Sequence, residues 1–185
     1  MNPTKDAVAH LADLLRERNH IDEQIAGLIG RPAYTGNIGE WISEQTLGVK
    51  LHDSAIHPAS DGHFTQPPFA GRTVQVKTYL TRTNVLDMNK PGQPQPDYYL
   101  AITGPKSSSG TSRGCTHPFV LREVFLFETA PLVQRLEGRV KNIGTSTSVR
   151  KQEWEDARIY PVIGEAGRMQ LLPDQVEALT LLRGD

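Results

Sequence analysis

Residues 61 to 80, DGHFTQPPFAGRTVQVKTYL, hold one acid, Asp61, and then a β-branched run with a lysine inside it, Val74-Gln75-Val76-Lys77. A lysine in a run of that kind is either an edge-strand residue or the centre of a metal-dependent active site. Side chains alternate faces along a strand. Thr73, Gln75, Lys77 and Tyr79 therefore share one face, and Val74, Val76 and Thr78 share the other. One pocket can receive both Gln75 and Lys77, while Val76 packs into a core and stiffens the strand between them. Upstream, Glu40 is an acid in a stretch of helical period, near the edge of its apolar stripe.

Those positions need elements to hold them. Val8, Leu11, Leu14, Leu15, Ile21, Ile25 and Leu28 recur at spacings of three, four and seven, which predicts helix over residues 4–29. Thr4 is a candidate N-cap, Gly30 a stop, and a break near Asn19 or His20 with Asp22 capping a second half is expected. A second helix is expected from Ile38 to Leu47, ended by Gly48. Residues 49–56 read as extended, Asp61 to Phe64 as a turn into a short strand, and Arg72 to Tyr79 as a strong strand. Asp97 to Thr103 and Phe119 to Phe127 read as further strands. Helices follow at Thr129 to Leu136, around Gln152 to Ala157, and at Pro173 to Leu182. Ile159 to Val162 reads as an edge strand, since Pro161 cannot donate to a ladder. Helices followed by a run of strands and then more helices predict an α+β fold with a central mixed β-sheet. The length, 185 residues, suits one domain with an N-terminal helical extension, residues 1–30.

The order helix-acid, hairpin-acid, strand Gln-x-Lys resembles the PD-(D/E)XK nuclease superfamily, the restriction-endonuclease-like fold. The anchors are "GNIGEW", "SDGHF", "VQVKTY" and "DYYLAI", within residues 36–103. The resemblance implies a metal-dependent DNA endonuclease, in restriction or another defence or repair setting. It implies Mg²⁺, with Mn²⁺ as a substitute, on Asp61, Gln75 and Glu40. Hard oxygen ligands hold such an ion, with waters and a substrate phosphate completing its shell. The ion polarises the phosphate and lowers the pKa of its water, and Lys77 would orient or deprotonate that water and offset developing charge. Position 75 departs from the usual acid. Gln offers a carbonyl oxygen without charge, as in the Mrr-like branch, so metal affinity should be lower than in a three-acid site. DNA is the expected partner, with RNA left open. A homodimer is compatible with cutting both strands of a duplex. The alternative is a catalytically silent nucleic-acid- or protein-binding module of the same fold; a third reading is an enzyme acting on another substrate.

Substrate contacts are expected from loops around residues 82–113, through Arg82 and Arg113, and from Arg150 and Lys151. The last two follow hydroxyl residues at a helix start, a place that suits phosphate. Residues 61–120 hold six Lys/Arg against three Asp/Glu, net +3, while residues 1–60 and 121–185 are −3 and −1. The chain is therefore not a non-specific DNA coater, although its middle third can offer a basic surface. His52, His57, His63 and His117 do not match a compact zinc spacing; His63 is a candidate helper beside Asp61. The lone Cys115 excludes an internal disulfide and fits a reducing compartment, and no base is suggested to make it a nucleophile. No apolar run approaches the ~20 residues of a membrane span, and the N-terminus lacks a signal-peptide pattern, so a cytoplasmic protein is expected. Walker A, GxGxxG and Gly-x-Ser-x-Gly motifs are absent.

Overall fold

The computed structural model describes residues 5–53, 59–106, 116–162 and 169–184. Two helices open the chain, α1 (Lys5–Ile29) and α2 (Thr35–Thr46). Strands β1 (Val49–Leu51), β2 (Gly62–Phe64), β3 (Thr73–Tyr79), β4 (Val85–Leu86), β5 (Tyr98–Thr103) and β6 (Glu123–Glu128) follow. The remainder alternates: α3 (Thr129–Glu137), β7 (Thr147–Ser148), α4 (Lys151–Ala157), β8 (Arg158–Tyr160) and α5 (Pro173–Leu181). Six strands form one sheet in the order β1-β2-β3-β5-β6-β8, and β4 pairs with β7 in a separate ribbon. Among the described strands of this sheet β3 and β5 run parallel and the other neighbours are antiparallel. The expected α+β class with a central mixed sheet flanked by helices is what forms.

Alternation in the strands divides the core in two. Val74, Val76, Leu100, Ile102, Val124 and Leu126 face Ile42 and Leu47 near α2 and Leu179 of α5. Tyr99, Ala101, Phe125 and Phe127 face Leu132 and Leu136 of α3, Trp154 of α4 and Leu86 of β4. The registers Gln75↔Tyr99 and Lys77↔Ala101 put Gln75 and Lys77 on this second face. The strand starts are clasped side chain to backbone. Asp97 Oδ2 accepts from the Thr73 amide and hydroxyl, each at 2.8 Å, while the Asp97 amide donates to Thr73 Oγ1 at 2.9 Å. This reciprocal clasp fixes the register of the parallel pair that carries Gln75 and Lys77.

Two glycines allow close approaches, one of a helix backbone to a strand side chain and one of backbone to backbone. A Cβ on Gly39 would lie 1.8 Å from Thr78 Oγ1, so α2 sits directly on β3 at that point. A Cβ on Gly62 would lie 2.3 Å from the Lys50 carbonyl oxygen, so β2 closes on β1 only because the residue after Asp61 has no side chain.

Several expectations are corrected. α1 runs unbroken through Asn19 and His20. Neither residue is a backbone breaker, and Asp22 pairs with Arg18 one turn earlier, Nε to Oδ2 at 3.5 Å, rather than capping a new helix. The strand expected from Phe119 begins only at Glu123. The run of strands and then more helices ends not as separate blocks but as interleaved α3, β7, α4, β8 and α5. The Gly30 stop holds, with φ of +71° just past the helix end, and Ile159-Tyr160 does lie on an edge strand. Thr4 lies outside the described residues, as do 54–56 of the extended stretch.

Gly39→Ala is expected to cost about 1–3 kcal/mol in urea unfolding, the range for overpacking, despite alanine's better helix propensity. Adding Thr78→Ala should recover part of that loss, because the nearest clashing atom is the Thr78 hydroxyl.

Candidate functional site

The β2–β3 ladder gives way at Asp61. Gly62 pairs with Val74 and His63 with Thr73, and the Asp61 amide still donates to the Val74 carbonyl at 2.9 Å. One step further the Asp61 carboxylate takes over from a strand. Its Oδ2 accepts the Val76 amide at 2.7 Å, and both of its oxygens accept from Gln75 Nε2 at 2.8 Å. The side chain therefore supplies the ladder bond that β2 no longer supplies. Asp61 and Gln75, 14 residues apart, are directly joined.

Glu40 reaches the same corner from α2. Both terminal nitrogens of Arg31 donate to Glu40 Oε2 at 2.7 Å. Arg31 and Lys77 lie close enough to bias the protonation of Glu40 and Asp61. Burial pushes the Glu40 carboxyl above its ordinary value and the nearby Asp61 charge pushes it further, against the pull of Arg31 and Lys77. Burial likewise raises Asp61, outweighing the Val76 amide, the Lys77 charge, the Gln75 amide and Arg31. Two carboxylates raised by lost water, Glu40 further by the Asp61 charge, with two cations beside them, make a four-charge cluster. Perturbation of this kind is enriched at functional sites.

The four residues expected to act together, Glu40, Asp61, Gln75 and Lys77, thus share one corner of the sheet. Arg31, just past the Gly30 helix stop, is the member that the sequence reading missed. Its single sequence signal is a cation in the short link between two helices, nine residues ahead of Glu40.

A divalent cation fits the donor set in part. Asp61 and Glu40 offer hard, partly desolvated oxygens whose repulsion a cation would relieve. Gln75 presents its NH₂ to Asp61 and must turn its amide to offer the carbonyl oxygen instead. Among the described residues no group of three or more His, Cys, Asp or Glu gathers as a metal cage. Water and a substrate phosphate would have to fill the remaining positions, as is usual for Mg²⁺.

The expected substrate contacts fare differently. Arg82 is not a solvated loop residue. Its side chain is 2% exposed, with Nη1 on both Glu123 oxygens at 2.8 and 2.9 Å and Nη2 on Glu155 at 3.0 Å. Its guanidinium stacks 4.8 Å from the Phe125 ring centroid. Neutralised on two carboxylates and covered by aromatic rings, it has no charge left for a backbone phosphate. Arg150 and Lys151 are exposed at the start of α4, but the anion at that helix start is the protein's own: Glu153 Oε2 accepts the Arg150 amide at 2.8 Å. Burial would raise Glu153, yet the Arg150 amide together with Arg139 and Arg135 holds it below its ordinary value. Arg113, Cys115 and His57 lie outside the described residues. His63 shares the Asp61 face of β2, with its ring centroid 6.1 Å from that of His52. Trp154 is fully buried, and Trp41 packs at the margin of the core. Among the described residues no helix is long and apolar enough to cross a membrane.

No family model and no curated protein matches this chain.

The raised carboxyls give a signed pH dependence. In the window between the ordinary and raised values the folded protein binds more protons than the unfolded chain, so stability falls as pH rises through it. Thermal melts across that window should flatten in Asp61→Asn. Arg82→Ala, which takes the buried guanidinium from Glu123 and Glu155 and leaves them Arg158 alone, should cost about 1–3 kcal/mol in denaturant unfolding, and Arg82→Lys should recover little, because a lysine cannot reproduce the fork.

Proposed function

We propose that this chain is a metal-dependent DNA endonuclease of the restriction-endonuclease-like, PD-(D/E)XK type, working in the cytoplasm. The observation that carries the reading is the meeting of Asp61, just before β2, with Gln75 on β3, inside a cluster whose other charges are Glu40, Lys77 and Arg31. Asp61 and Glu40, with the turned Gln75 amide, would hold Mg²⁺ or Mn²⁺. Such an ion supplies Lewis-acid polarisation of a phosphate and a lowered pKa for water. The chain's own residues do the rest. Lys77, on the Gln75 face of β3, brings a positive charge to the scissile phosphate and orients the attacking water. Val76, 6% exposed, locks the strand from below, and its amide aims the Asp61 carboxylate. Arg31 holds Glu40 ionised and in place until a cation competes for it.

One observation favours the second reading, a catalytically silent binding module. Every carboxylate of the cluster already has an internal donor: the Gln75 amide on Asp61 and the Arg31 guanidinium on Glu40. A site satisfied in this way needs no metal to fold.

Plasmid nicking separates the two. The nuclease reading expects Mg²⁺- or Mn²⁺-dependent cleavage by the wild type, stopped by EDTA and reduced at least a hundredfold in Asp61→Ala and Lys77→Ala with circular dichroism unchanged. The silent-module reading expects no cleavage of plasmid, single-stranded or modified DNA, and DNA binding that survives Lys77→Ala. Gln75→Glu adds a third acid and removes a donor to Asp61. It should melt lower than wild type without metal and gain more on adding Mg²⁺; an equal gain in both would count against Gln75 as a ligand.

A further inference from the structure

The 25 residues of α1 contain none that is buried. Its apolar stripe faces water instead: Val8 is 53% exposed, Leu11 56%, Leu14 47%, Leu15 47%, Ile21 55% and Leu28 70%. Helices in proteins draw most of their stability from packing an amphipathic face, and a contiguous exposed apolar stripe marks an interaction surface. The spacing identifies the kind of surface. Leu11, Leu14, Arg18, Ile21, Ile25 and Leu28 fall at alternating intervals of three and four, the 3.5-residue period of a coiled-coil seam, with Ala7 one step earlier. A globular helix facing a core shows a broader, 3.6-residue stripe. The seam is about 27 Å long at 1.5 Å per residue.

We propose that α1 joins two copies of this chain as an antiparallel, two-stranded coiled coil. The direction follows from Arg18, the one charged residue in the seam. In a parallel pair equivalent positions meet, and two Arg18 side chains would share a layer. In an antiparallel pair the layers become Leu11 with Leu28, Leu14 with Ile25 and Arg18 with Ile21 of the second copy. Each set is closed under two-fold symmetry, and the two arginines fall in different layers. Arg18 already leans on Asp22 of its own helix at 3.5 Å, which draws its charge to the rim of the seam. A polar residue at one core position is a known device for fixing orientation at some cost in stability.

Charge disfavours other occupants. α1 has three Lys/Arg and five Asp/Glu, net −2. That balance repels a DNA backbone and lacks the basic polar face of a helix that lies on anionic lipid. Pairing with a second copy needs neither. The proposal is independent of the nuclease reading, because none of the six seam residues belongs to the candidate site.

Sedimentation velocity on the full chain over rising concentration tests the pairing. The expected result is a shift towards twice the 20.5 kDa chain mass, abolished by Leu14→Glu with Ile25→Glu and moved to lower concentration by Arg18→Leu. Leu14 and Arg18 are exposed and Ile25 is half-buried outside both core clusters, so the far-ultraviolet spectrum of the mutants should keep its strand and remaining helix signals. A wild type that stays at monomer mass throughout, or that assembles beyond a dimer, overturns the proposal. Orientation is read by crosslinking. With Cys115 replaced by serine, Leu11→Cys and Leu28→Cys chains are mixed and mildly oxidised. Mixed disulfides between the two variants support the antiparallel pair; disulfides only between like variants overturn it.

Discussion

At Gly39 the backbone of α2 rests directly on the Thr78 side chain of β3, and the placement of the charged cluster follows from that contact. The close approach leaves Ile42 buried and Ile38 packed on the same core, which fixes the rotation of α2. With that rotation set, the next residue, Glu40, is carried to the margin of the core rather than to open solvent. The other boundary is Gly62, which lets β2 close on β1 and so brings the carboxylate of Asp61 back to β3. Two carboxylates are thereby pressed into a partly dry corner. Bringing charges of one sign together out of water is costly unless opposite charges accompany them. Arg31 and Lys77 are those charges. Neither the acids nor the bases of this corner are intelligible singly.

How far the sequence revealed this depends on distance along the chain. The shared face of Gln75 and Lys77 was legible because strand alternation is a two-residue rule, and the burial of Val76 came with it. The helices, β3, β5 and the edge strand at Ile159-Tyr160 were legible from local periodicity, turn glycines and one proline. The order of Glu40, Asp61 and Gln-x-Lys suggested that distant acids belong together, though only the folded chain brings the Asp61 carboxylate to Gln75 and Val76. Contacts set by tertiary structure alone were out of reach. Arg82 looked like a loop cation because its partners are 41 and 73 residues away. The Arg31–Glu40 pair spans a helix boundary, where no periodic rule applies. The start of α4 looked open to phosphate because nothing local showed that Glu153 would turn back on it. The supposed break in α1 was the opposite error, a polar Asn-His pair taken for an interruption although neither residue prevents a helix from continuing.

The protein treats buried charge in two ways, and the difference isolates the candidate site. Around Arg82, the guanidinium meets Glu123 and Glu155, Arg158 joins both acids, and Phe125 and Trp154 close over the group. Asp97 and Glu153 belong to the same style. Burial alone would raise each of them, but backbone amides and arginines more than compensate, and both end below their ordinary values. These are acids whose ionised form the fold has matched. Glu40 and Asp61 also have donors within 2.8 Å, yet both remain above their ordinary values. Their hydrogen bonds do not make up for the water lost, and at Glu40 the neighbouring acid adds to the deficit. Packing and ion pairing for stability would favour the first arrangement. An under-compensated pair of carboxylates beside a strand lysine is instead a place where additional positive charge would be stabilised, and that is the physical ground for looking there before looking at the tighter, better satisfied network around Arg82.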